Sequence, residues 1–219
     1  SVKTDEIFVA GSLDDVAERQ KNSNTYYIAR HGEANSNVSK VFDIKMDPNN
    51  HLTEAGKAKA EEDRERLAGK IDFIICSPFL RAKETADIIA DGKVEIIIDE
   101  RLHESNMGVW DGKNTDDFQK WFTNCAEPYM ERRPEGGETH REMMQRVASL
   151  LLECESKYKD KNILFVTHAG PANMMLSFAH HLSDTQIDRN LFDLNSPYYL
   201  KPGEARELGF KKVCYDDRF

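Results

Sequence analysis

The stretch Tyr26-Tyr27-Ile28-Ala29-Arg30-His31-Gly32-Glu33 decides the reading of this chain. A run of apolar, strand-forming residues ends abruptly in an arginine, a histidine and a glycine, so a strand delivers a fixed cation and an imidazole side by side into a turn. Imidazole titrates near pH 6.5, and at neutral pH much of it offers a nitrogen lone pair without the help of a separate base. The guanidinium of Arg30 is permanently charged, and its fork matches the oxygens of a phosphoryl group. Gly32 lets the backbone turn sharply and approach a neighbour closely.

Three further stretches extend the theme. The run Ile71-Asp72-Phe73-Ile74-Ile75-Cys76 leads into Ser77-Pro78-Phe79-Leu80-Arg81-Ala82-Lys83-Glu84-Thr85-Ala86, which puts Arg81 in the first turn of a helix. Val94-Glu95-Ile96-Ile97-Ile98 precedes Leu102-His103-Glu104 and Gly108-Val109-Trp110-Asp111-Gly112, which places a carboxylate in a loop. Asn162-Ile163-Leu164-Phe165-Val166-Thr167-His168-Ala169-Gly170 repeats the opening pattern, a strand ending in histidine.

Taken in this order, from Tyr26 to about His168, these motifs resemble the histidine phosphatase superfamily, also called the phosphoglycerate mutase-like family. The resemblance implies an α/β fold, with a central mostly parallel sheet and helices on both faces. It implies a metal-independent phosphomonoester hydrolase with no cofactor. His31 is then the nucleophile that becomes a phosphohistidine, and Glu104 the general acid for the leaving oxygen and general base for the attacking water. His168 completes the catalytic set. Arg30, Asn37, Arg81 and the backbone N–H of Ala169 bind the phosphoryl oxygens. Glu104 can serve only if part of its population is protonated, which calls for a pKa raised by partial burial or nearby phosphate; taken in isolation it reads as a loop acid paired with Arg101.

Two other readings stay open on sequence: a phosphoglycerate mutase-type phosphoryl transferase, and a catalytically silent interaction module of the same fold. Against the first, Glu104 is followed by Ser105-Asn106-Met107 rather than the Arg-His-Tyr run of those mutases. Against the second, His31, Arg81 and His168 are all present. The pattern departs from many relatives at Ala169, where glycine is common, near Asn173, where arginine is, and between Asn37 and Leu52, a segment rich in Lys, Asp and Asn that is expected to bear on substrate choice.

The 219 residues carry a formal charge of −9, so bulk electrostatics give no reason to expect nucleic acid or an anionic membrane surface as partner. The expected partner is a small-molecule phosphomonoester or a phosphoprotein; oligomeric state is not legible. No apolar run is long enough to span a bilayer, and residues 1–24 lack the apolar core of a signal peptide. Cys76, Cys125, Cys154 and Cys214 form no Cys-x-x-Cys pair and read as reduced thiols, which favours the cytoplasm.

Residues 1–24 read as an N-terminal extension, with an edge strand at Ile7 to Val9 and a short helix from Ser12, and residues 25–219 as a single domain. Helices are predicted from Thr53, as N-cap, to Leu67, over Arg81 to Ala90, over Thr139 to Lys157 and from near Pro171. In the third, Met143, Met144, Val147, Leu150, Leu151 and Cys154 recur at helical spacing and read as core. Residues 114–133 predict a helical insert whose Phe118, Trp121, Phe122, Tyr129 and Met130 either wall the site or fill the core. Gly136-Gly137-Glu138-Thr139 reads as a loop entering a helix, His180-His181 as a helix end rather than a metal site, and the stretch from Leu191 as a loop with one short strand.

Overall fold

The computed structural model describes residues 24–190 and 193–209; the strand and helix expected within residues 1–23 lie outside them, as does Cys214. Five strands, β1 (Thr25–Arg30), β2 (Phe73–Cys76), β3 (Glu95–Ile98), β4 (Asn162–Thr167) and β5 (Ala205–Glu207), form one sheet in the order β3-β2-β4-β1-β5. All neighbours are parallel except β5, which pairs antiparallel with β1. The α-helices are α1 (Asn35–Ser39), α2 (Glu54–Leu67), α3 (Leu80–Ala90), α4 (Thr115–Thr123), α5 (His140–Lys157), α6 (Ala169–Ala179) and α7 (Asp184–Asn190).

The strands read as unbroken apolar runs because both faces of the sheet are covered. Side chains alternate across the pleat, and the two faces feed two separate cores. Tyr26, Ile28, Phe73, Ile75, Ile163 and Phe165 pack with α5 and α6. Ala29, Ile74, Cys76, Leu164 and Val166 pack with Leu67 of α2 and with Ala82, Ala86 and Ile89 of α3. Helix starts follow the sequence signals. The Thr53 side chain accepts from Gly56 N, and Thr139 and Glu142 form a reciprocal capping box.

The insert over residues 114–133 is helix α4 followed by a single 3₁₀ turn, Tyr129–Glu131. Of the two readings of its aromatics, the core is the correct one: Phe118, Phe122, Tyr129 and Met130 are buried in the α5/α6 core, with Phe42, Trp110 and Trp121 packed against them. Among the described residues no helix is long and apolar enough to cross a membrane. Cys76, Cys125 and Cys154 are free thiols.

The register sets up a site. Arg30 lies opposite Thr167, so β1 and β4 end at the same level and each hands a histidine to the carboxyl edge of the sheet. His31 N donates to Thr167 O at 2.9 Å, which ties the two ends together. Gly32 is required here by close approach rather than by a left-handed turn: a Cβ on it would sit 2.5 Å from Gly56 O, where α2 presses on the end of β1.

Candidate active site

His31 is 1% exposed, and both ring nitrogens are engaged. Nδ1 lies 2.7 Å from Gly32 O. A carbonyl only accepts, so Nδ1 carries the proton and Nε2 carries the lone pair. Arg81 Nε donates to that lone pair at 3.1 Å. Burial, then the charges of Arg81 and Arg30, hold the imidazole well below the usual histidine pKa, while the Gly32 hydrogen bond acts the other way. The ring is thus neutral, with Nε2 presented to the edge of the sheet.

Arg81 occupies the first turn of α3, and its guanidinium is gripped on every nitrogen. Beyond Nε, its Nη1 donates to Asp43 Oδ2 at 2.8 Å, and Nη2 donates to Asp43 O at 3.3 Å and stands 3.8 Å from Glu104 Oε2. Asp43 is itself fixed by Asn50, whose Nδ2 donates to the same carboxylate oxygen at 2.7 Å and to Ser36 Oγ at 2.9 Å. Arg30 is anchored from the approach to β5, with Nη1 donating to Tyr199 Oη at 2.9 Å and Leu200 O at 3.0 Å; its buried Nε has no hydrogen bond.

His168 is the fully buried N-cap of α6. Its Nε2 shares a 2.7 Å hydrogen bond with Ser77 Oγ, at the end of β2, and its ring meets His31 edge-on at 5.1 Å between centroids. Its Nδ1 has no hydrogen bond and stands 3.6 Å from Glu104 Oε2. Burial first, then Arg81, His31, Arg146 and Arg30, push this imidazole well below the usual range too. The N–H groups of Ala169 and Gly170, at the first turn of α6, are the donors that a helix N-terminus leaves without intrahelical partners.

Glu104 sits on a braced loop. Its Oε1 accepts from Ser105 N at 2.8 Å. Below it, Arg146 of α5 donates to Arg101 O at 2.6 Å and reaches Glu104 O at 3.5 Å, while its Nε and Nη2 hold Glu138 at 3.0 and 2.7 Å. Glu138 in turn accepts from Asn106 N at 2.9 Å. The Gly136-Gly137-Glu138-Thr139 stretch therefore braces the Glu104 loop as well as starting a helix. The pairing of Glu104 with Arg101 does not occur: Arg101 is bound to Asp99 and Glu153.

The structure thus brings Arg30, His31, Arg81, Glu104, His168 and the Ala169 N-terminus to one place. Asn37 stands on α1, next in sequence to Ser36 of the Ser36–Asn50–Asp43 chain, with its Oδ1 accepting from Ala34 N at 2.9 Å. Asp43, Asn50, Ser77, Arg146 and Tyr199 are the members of this network to which sequence reasoning assigned no role. His180 and His181 end α6 as expected, with His180 Nε2 at 2.9 Å from Leu208 O. Ligand atoms of His31, Glu104 and His168 lie within 4.8 Å of one another, near enough to hold a cation, but two guanidiniums face the same point and favour an anion there. Beside Glu104 opens a cleft of about 590 Å³, and none of the 114–133 aromatics lines it.

The chain belongs to the histidine phosphatase superfamily (branch 1), whose sequence profile matches residues 26–207. It is 31% identical over 152 residues to phosphoglycerate mutase-like protein 4 of Arabidopsis thaliana, across 65% of this chain and 65% of the plant protein. Among solved structures it resembles YhfR of Bacillus stearothermophilus, with TM-score 0.70 and 28% identity, covering 83% of this chain and 89% of the other. It shares its fold with phosphoserine phosphatase in complex with 3-phosphoglyceric acid from Entamoeba histolytica, with TM-score 0.65 and 23% identity, covering 79% and 87%.

Proposed function

We propose that this chain is a phosphomonoester hydrolase that works through a phosphohistidine on Nε2 of His31. The observation that carries the reading is the pinned tautomer: Nδ1–H held by Gly32 O and the Nε2 lone pair presented beside Arg81. In the first step Nε2 bonds to phosphorus as the ester P–O bond breaks, and the leaving oxygen takes the proton of the Glu104 carboxyl. In the second, water gives a proton to the Glu104 carboxylate and bonds to phosphorus as the P–N bond breaks, which releases inorganic phosphate and restores both residues. Arg30, Arg81, His168 and the Ala169 N–H, with the Asn37 amide beside them, meet the charge spread over the phosphoryl oxygens. The unpartnered Arg30 Nε and His168 Nδ1 support this, since buried polar atoms without partners are costly unless a ligand takes them up. The chemistry proposed needs no metal.

The test is hydrolysis of p-nitrophenyl phosphate in excess chelator by the native chain and by His31→Ala, with folding matched by circular dichroism, together with acid-stable or base-stable labelling to identify the phosphoryl adduct. Turnover that survives the chelator, a base-stable adduct and loss of both in the variant are expected. A folded native chain that binds phosphate but hydrolyses no ester, or a variant with native turnover, overturns the reading.

A further inference from the structure

From the lining of the cleft beside Glu104 we infer that the ester cleaved at this site has a leaving alcohol carrying a protonated or quaternary amine, and no second anion. The inference rests on the function proposed above, because it takes Nε2 of His31 as the point of attack. The buried, unpartnered Arg30 Nε and His168 Nδ1 mark where the phosphoryl group sits. Glu104 stands between that point and the cleft of about 590 Å³, so a leaving oxygen protonated by Glu104 directs the rest of its group into the cleft.

The charge met there is negative. Besides Glu104, the cleft is lined by Glu100 and Glu135, both exposed and, among the described residues, without an ion pair. The single lysine in its wall, Lys45, is paired with Asp111 at 3.1 Å. His103 turns its Nδ1 to the carbonyl of Glu104. Exposed Met46 and Val109 complete the wall with apolar surface. A carboxylate or second phosphate in the leaving group meets two bare carboxylates and, among the residues lining the cleft, no unpaired cation, whereas an ammonium meets attraction. A mutase acting on phosphoglycerate would require the reverse lining.

Three esters with two-carbon leaving groups separate the possibilities: O-phosphorylethanolamine, ethyl phosphate and 2-phosphoglycolate carry there a cation, nothing and an anion. The expected order of kcat/KM is cation over neutral over anion, with about tenfold at each step from the two carboxylates. In Glu100→Gln/Glu135→Gln the ratio of the cationic to the neutral ester falls about tenfold, mostly through KM. Equal rates for the three esters, faster turnover of 2-phosphoglycolate, or an unchanged ratio in the double variant overturns the inference while leaving the hydrolase reading intact. Failure to hydrolyse p-nitrophenyl phosphate as well as all three esters counts against the hydrolase reading instead. A peptide arm, phosphoserine followed by lysine against phosphoserine followed by glutamate, tells whether the amine resides on a small molecule or a chain: a kcat/KM for the lysine peptide above that for O-phosphorylethanolamine places it on a chain, the reverse order places it on a small molecule, and faster turnover of the glutamate peptide than of the lysine peptide counts against the inference.

Discussion

His31 and His168 arise from nearly the same sequence device, an apolar parallel strand that ends in histidine, and they sit on neighbouring strands at the same level. Their surroundings make them different reagents. His31 has its Nδ1 proton taken by a carbonyl and its Nε2 lone pair turned toward a guanidinium. His168 has Nε2 tied to Ser77 Oγ and a bare Nδ1 facing Glu104. The strand end supplies an imidazole at a fixed place; the one or two hydrogen bonds that follow decide which nitrogen reacts. Mutating the pair tests this division. His31→Ala is expected to lower kcat by at least about 10⁴-fold, as removal of a nucleophile does, and to abolish the phosphoryl adduct. His168→Ala is expected to cost about 10² to 10³-fold, the scale of one lost transition-state donor, and still to form the adduct slowly. An adduct in the His31 variant and none in the His168 variant reverses the assignment.

A third buried histidine sharpens the contrast. His140 has burial without chemistry: it starts α5 between Phe122 and Tyr129, its Nδ1 has no hydrogen bond, and burial lowers its pKa to about 4, opposed by Glu138 and assisted by Arg132. The folded state binds the proton less well than the unfolded state, whose histidine titrates near 6.5, so stability rises with pH through that window. As pH falls from about 6.5 to 4 the unfolded chain gains a proton that the folded chain refuses, at a cost of about 3 kcal/mol. His31 and His168, also lowered, add in the same direction. Urea melts at pH 7 and pH 4.5 are expected to show His140→Met losing less stability on acidification than the native chain. An equal loss in both would show that His140 titrates normally.

The contrast also explains what was legible. Arg30, His31 and His168 could be placed from sequence because periodicity locates a strand, and in a parallel sheet the carboxyl ends of strands gather at one edge. Arg81 followed because a helix start fixes its first turn. The partners that give these groups their roles carry no such signal. Asp43 meets Arg81 across 38 residues, Arg146 reaches Glu104 across 42 and Tyr199 meets Arg30 across 169, each from a loop or a helix flank whose aim depends on the whole fold. The aromatics of residues 114–133 illustrate the same limit: their spacing fits a wall or a core equally, and only the packing against α5 decides for the core.

Asp43 is where the loop region, illegible in sequence, reaches into the strand-built end of the site, so it offers the finest test of the comparison. Its carboxylate and carbonyl hold both terminal nitrogens of Arg81, and this grip aims Nε at His31. The same carboxylate adds negative charge close to the phosphoryl position of the proposed reaction. The two effects oppose each other in binding but not in turnover. In Asp43→Asn the charge-assisted bond weakens and Arg81 gains freedom, so kcat is expected to fall about tenfold, the worth of one such bond. KM is expected to stay level or fall, because removal of the carboxylate favours the phosphate dianion. Asp43→Glu, which keeps the charge but lengthens the arm, is expected to recover part of kcat. A rise in KM with kcat unchanged would place Asp43 in substrate binding and leave the strand ends to align Arg81 and His31 without help from the loop.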